Sequence, residues 1–118
     1  MTRAAIVVLV LVLALGGLFF LLRPDTPDGG PQNRGFDVSI EDSEMSPGEI
    51  SVDRGDTVTL RVVADEPAEL HVHGYHVEQQ VGPGKMAEIG FEADLTGCFE
   101  IEDHETGKKL GVLQVRPR

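Results

Sequence analysis

Residues 50–78 read ISVDRGDTVTLRVVADEPAELHVHGYHVE, and their apolar positions recur at every second residue. Ile50 and Val52 form one such set, Val58, Leu60 and Val62 a second, and Leu70 and Val72 a third. Period two is the signature of a strand with one buried face, because successive side chains leave a pleated backbone on opposite sides. Arg54-Gly55-Asp56 and Asp65-Glu66-Pro67 separate the runs with turn chemistry. The pattern extends outward in both directions. Phe36, Val38 and Ile40 precede it; Ala87, Ile89 and Phe91, then Phe99 and Ile101, then Leu113 and Val115 follow it. Ser46-Pro47-Gly48, Gly82-Pro83-Gly84 and Thr106-Gly107-Lys108 punctuate these runs. Seven short strands with no helical stretch among them predict an all-β, antiparallel β-sandwich, its two inner faces supplying the core.

The N-terminus has a different character. Residues 4–22 carry no charge, and Arg3 and Arg23 bracket them. Nineteen residues rise about 28 Å as a helix, close to the ~30 Å hydrocarbon layer of a bilayer. Residues 1–23 are therefore expected to form an N-terminal transmembrane signal anchor. The alternative is a cleaved signal peptide, but its apolar core is shorter and its small residues follow that core. Here Ala14, Gly16 and Gly17 fall within the run. Both readings export the remainder to the extracytoplasmic side, periplasmic or cell-surface. Residues 24–35, PDTPDGGPQNRG, hold three Pro and three Gly and read as a linker. Residues 36–118 then form the β-domain.

Of the 118 residues, 20 are acidic and 10 basic, and every acid and all bases but Arg3 and Arg23 lie beyond residue 23. So acidic a domain is a poor nucleic-acid partner, since that binding needs cations to displace phosphate counterions. A domain this small also leaves little room for an enclosed substrate pocket. No nucleophile–base pair, phosphate loop or paired catalytic carboxylates stand out, so no enzyme is expected. The Arg54-Gly55-Asp56 tripeptide reads as a β-turn with glycine at positive φ rather than as an integrin-type motif.

All four histidines and the single cysteine lie between Leu70 and His104. If Leu70 and Val72 face the core, His71 and His73 share the other face, about 6–7 Å apart along the strand. Gly74 breaks the pleat and would bring His76 round, and His104 follows the Phe99–Ile101 strand. His71, His73, His76 and His104 are the candidate metal ligands. Neutral imidazole suits Cu(II), Zn and Ni, and Glu69, Asp103 and Glu105 are nearby carboxylates.

Residues 50–78, continued by GPGKMAEIGFEADLTGCFEIEDHE at 82–105, resemble the cupredoxin pattern. In it a strand, a Gly-Asp turn and a second strand lead to a ligand histidine, and Phe-x-Ala-Asp-x-x-Gly opens the last hairpin. The likeness extends to the plastocyanin-like proteins, to the copper domain of cytochrome oxidase subunit II and to small exported domains carrying H-x-H-G-Y. It covers residues 36–118 and implies a Greek-key sandwich with copper as cofactor. The family's first ligand falls on His73, or on His71 if the strand slips by two. The family's copper cysteine falls on Asp103, whereas Cys98 lies at the other end of the strand with the opposite parity. The thiolate of a blue site is thus expected to be missing.

These observations leave three functions open. One is a membrane-tethered, copper-binding protein using the histidine cluster. The second is a metal-free scaffold that binds an envelope protein partner. The third, electron transfer through a thiolate copper site, is disfavoured by the position of Cys98.

Overall fold

The computed structural model describes residues 2–23 and 29–118. Helix α1 spans Arg3–Leu21 and is apolar on every side, with no residue buried against protein. A helix apolar all round has no polar face to turn to water, so its length and composition suit a bilayer span or an export signal.

Among the described residues nine strands follow: β1 Asn33–Glu41, β2 Glu44–Ser46, β3 Glu49–Asp53, β4 Thr57–Ala64, β5 Ala68–Val72, β6 Val77–Val81, β7 Ala87–Glu92, β8 Gly97–Asp103 and β9 Lys108–Arg116. They form two sheets, ordered β2-β1-β4-β7 and β3-β9-β8-β5-β6. The chain is an all-β sandwich preceded by one apolar helix. Every inward position expected from the period-two pattern is buried or packed on the core. Ile50, Val52, Val58, Leu60, Val62, Leu70, Val72, Ile101 and Leu113 are at most 1% exposed, and Phe36, Ala87, Phe91 and Phe99 close its margins. Each such aliphatic side chain contributes about 1.5–3 kcal/mol relative to an exposed one.

Three features differ from the sequence expectation. The sandwich is not wholly antiparallel: β1 runs parallel to β4, and β3 parallel to β9. Period two is the same for either direction, so local pattern carries no information on it. Strands β2 and β6 are additional, because each turns only one or two apolar residues inward (Met45; Val81, with Val77 half-buried). Strand β1 also starts at Asn33, three residues before Phe36, because Asn33, Arg34 and Gly35 pair in register with Thr57, Val58 and Thr59.

Residues 24–28 of the expected linker lie outside the described residues. From Gly29 the chain is held against the sandwich, where Arg118 Nη1 donates to the carbonyls of Gly29 and Gly30. The clamp centres on Asp56, which is fully buried. Its Oδ1 accepts the Gln32 amide at 2.9 Å and Arg118 Nη2 at 2.6 Å; its Oδ2 accepts the Asp53 amide at 3.0 Å and faces Arg34 Nε at 3.6 Å. Gly55 beside it has φ +92°, a conformation that β-carbon crowding disfavours for other residues. The Arg-Gly-Asp tripeptide is therefore a structural turn, anchored by its buried aspartate.

Candidate metal centre

The site lies on the outer face of the five-stranded sheet, where β5 runs between β6 and β8. With Leu70 and Val72 in the core, alternation forces His71 outward. Antiparallel pairing then sets His71 opposite Glu78 on β6 and opposite Glu102 on β8. His73 continues that face just past β5, its amide donating to the Glu100 carbonyl. His104, just past β8, donates its amide to the Glu69 carbonyl. The result is a row of alternating acid and imidazole across three strands.

Among the described residues, two overlapping candidate ligand sets emerge: His71, His73 and Glu102, and His71, Glu78 and His104. Within each set the donor atoms lie within 4.8 Å of one another. His73 Nε2 is 2.6 Å from Glu102 Oε1, and His71 Nδ1 is 3.5 Å from the same oxygen. On its other edge, His71 Nε2 is 3.9 Å from Glu78 Oε1. The His71 ring centroid is 4.7 Å from that of His73 and 5.6 Å from that of His104. His73, hydrogen-bonded to it, holds the Glu102 carboxyl below the usual carboxylate range; partial burial pushes the other way, and the charges of His73 and His71 reinforce the lowering. Glu102 thus stays ionised, the form a metal requires.

His71 Nδ1 is buried and makes no well-formed hydrogen bond among the described residues, with Glu102 Oε1 standing 3.5 Å away. A buried polar atom left unpaired costs about 1–3 kcal/mol, and such atoms in a native fold need an explanation. A cation shared with His73 and Glu102 would satisfy it. The residues present therefore fit a divalent metal of the imidazole–carboxylate class.

Three of the four expected histidines come together; His76 does not join them. Tyr75 decides this. Its ring packs against Phe91 and Phe99, and its hydroxyl donates to the Leu95 carbonyl at 2.6 Å while accepting the Leu95 amide at 3.1 Å. Gly74, at φ +84°, lies so close to Phe99 that a β-carbon there would be 2.7 Å from its Cδ1. The turn is spent on seating Tyr75, and His76 emerges exposed at φ +51°.

The carboxylates also differ from those expected. Glu102 and Glu78 take part, not Glu69, Asp103 or Glu105. Asp103 turns inward, where Oδ1 accepts the amides of Glu69 and Glu105 and Oδ2 accepts the Thr106 hydroxyl. Both oxygens are committed to the β8–β9 turn, at the position that the cupredoxin likeness assigns to cysteine. Glu102 was legible as the residue sharing the face of His104 two positions on; Glu78 was not, because β6 carries little apolar signal. Cys98 is exposed at the far end of β8 and belongs to neither ligand set.

No protein-family model and no curated protein sequence matches the chain. Solved structures do. A chain of a heme-copper terminal oxidase dimer is 18% identical with TM-score 0.61, over 97% of this chain and 100% of its own. A multicopper oxidase is 22% identical with TM-score 0.60, and the blue copper oxidase of Nitrosomonas europaea is 25% identical with TM-score 0.59. Both match 73% of this chain, which spans 39% of theirs. All three are cupredoxin-fold proteins, and the chain carries a cupredoxin-like domain.

Proposed function

We propose that the chain is a membrane-tethered, extracytoplasmic, non-catalytic protein that binds copper through imidazole and carboxylate rather than thiolate, for capture or delivery of the metal. One observation carries this reading: the buried, unpartnered Nδ1 of His71 faces a set completed by His73 and Glu102. His104 and Glu78 extend that set. The acidic surface raises the local cation concentration. The apolar helix supports tethering, and the copper-containing proteins of the same fold support the choice of metal. With no cysteine at the site, the strong visible absorption of a copper–thiolate bond is not expected.

Titration of the 118-residue chain in detergent micelles with Cu(II), Cu(I) and Zn(II) tests the reading. Copper at 100 times its dissociation constant should stabilise the fold by about 2.7 kcal/mol. For a domain of this size that raises Tm by about 11–22 °C. Substituting His71→Ala together with His73→Ala should abolish the shift. Binding weaker than tens of micromolar, or a shift that survives the double substitution, refutes the proposal. Refutation by absence of binding would favour the metal-free interaction scaffold instead.

A further inference from the structure

The two ligand sets share one residue, and the shared residue has two nitrogens on opposite edges of its ring. Glu102 approaches Nδ1 and Glu78 approaches Nε2. The two carboxylates come from strands on either side of β5, at the same register position. Their backbones are thus two strand spacings apart, about 9.5 Å. Metal–nitrogen and metal–oxygen bonds are about 2 Å long, and a single ion can use only one edge of an imidazole. One ion therefore does not account for both sets.

Building on the metal-binding reading, we propose that the site takes two Cu(II) ions, one on each nitrogen of His71. The inner ion is held by Nδ1 with His73 and Glu102, and the outer one by Nε2 with Glu78 and His104. The inner position fills first. Its His71 nitrogen is buried and unpartnered, and Glu102 is half-buried and already oriented by His73 at 2.6 Å. The outer position draws on Glu78 and His104, both exposed, and must order two free side chains. No electron transfer is involved. On binding the second ion, a Cu–N bond forms at His71 and its remaining ring N–H bond breaks; the proton passes to buffer, leaving an imidazolate between the ions.

The test is a Cu(II) titration of the 118-residue chain in detergent micelles, with bound metal measured by equilibrium dialysis and spin concentration by electron paramagnetic resonance. Two equivalents should bind, the second at least tenfold more weakly. The integrated spin signal should rise through the first equivalent and fall through the second, because ions bridged by one imidazolate couple. Either His104→Ala or Glu78→Gln should remove the second equivalent, keep the first and restore a full uncoupled signal. Melting followed by Tyr75 fluorescence confirms that each variant is folded. Saturation at one equivalent overturns the two-ion site while leaving the copper-binding function standing, as does a signal that doubles with the second ion. Loss of both equivalents in His104→Ala also overturns it. Absence of any bound copper overturns the function as well.

Discussion

Removing the buried carboxylate of Asp56 should be among the most damaging single changes in the domain. The residue is fully buried and ties three distant segments together: the entry to β1 through Gln32, the β3–β4 turn through Asp53, and the C-terminus through Arg118. Asp56→Ala strands two backbone amides and two guanidinium contacts. Breaking a buried charge pair costs about 3–5 kcal/mol, less where the partner keeps access to water. Arg118 and Arg34 are 25% and 41% exposed, and Arg118 retains the Gly29 and Gly30 carbonyls. A loss of about 3–4 kcal/mol follows, or about 12–32 °C in Tm.

Asp56→Asn should cost less, because its carbonyl still accepts the Gln32 amide while its NH2 opposes the Asp53 amide. The two variants also separate in pH. Burial pushes the Asp56 carboxyl up, but the Gln32 and Asp53 amides, then Arg118 and Arg34, outweigh it and hold it below the ordinary value of 3.8. A depressed folded-state value stabilises the fold above the unfolded value and is lost as pH falls through the folded one. Wild type should therefore lose stability below about pH 4 more steeply than Asp56→Asn does. The assay is denaturation followed by tyrosine fluorescence, which reports the sandwich alone because Tyr75 is the only tyrosine and there is no tryptophan. An Asp56→Ala variant within 0.5 kcal/mol of wild type, about the scatter of ordinary surface substitutions, would refute the reasoning.

Other outcomes are open to equally direct measurement. Gly74→Ala, which forces a β-carbon against Phe99 at φ +84°, should cost about 2–3 kcal/mol in denaturant melts. Tyr75→Phe removes both hydrogen bonds to Leu95 and should cost about 1–3 kcal/mol. Burial pushes the Tyr75 hydroxyl up, the Leu95 bond opposes that rise and Asp94 adds to it. Alkaline absorbance titration should accordingly place its ionisation above 10.0, with folding stability falling as pH rises past that value. Cys98→Ser, at an exposed strand position outside both ligand sets, should change stability by less than about 0.5 kcal/mol and leave copper uptake unaltered.

The two faces of β8 differ in chemistry. Asp103, at the position that the cupredoxin likeness assigns to cysteine, lies on the inner face, where its carboxylate accepts three hydrogen bonds. The histidine–carboxylate cluster instead faces outward across β6, β5 and β8. Asp103 and Glu102 are adjacent on β8 and so stand on opposite faces, one toward the core and one toward solvent. That follows from the two-residue alternation of a strand.

What the sequence determined was whatever depends on local order. Alternation of Val, Ile, Leu and Phe specified the strands and their inward residues, and nineteen uncharged residues specified the apolar helix. Parity alone placed His71 and His73 on one outer face. What only the tertiary structure decided was who stands opposite whom. Glu102 and Glu78 meet His71 because β5 pairs with both β8 and β6, and β8 lies some thirty residues away in the chain. The parallel pairings, the burial of Asp56 and the diversion of His76 by Tyr75 are of the same kind. Each rests on contacts between segments distant in sequence, and the side-chain period of a strand is blind to its neighbour's identity, direction and register.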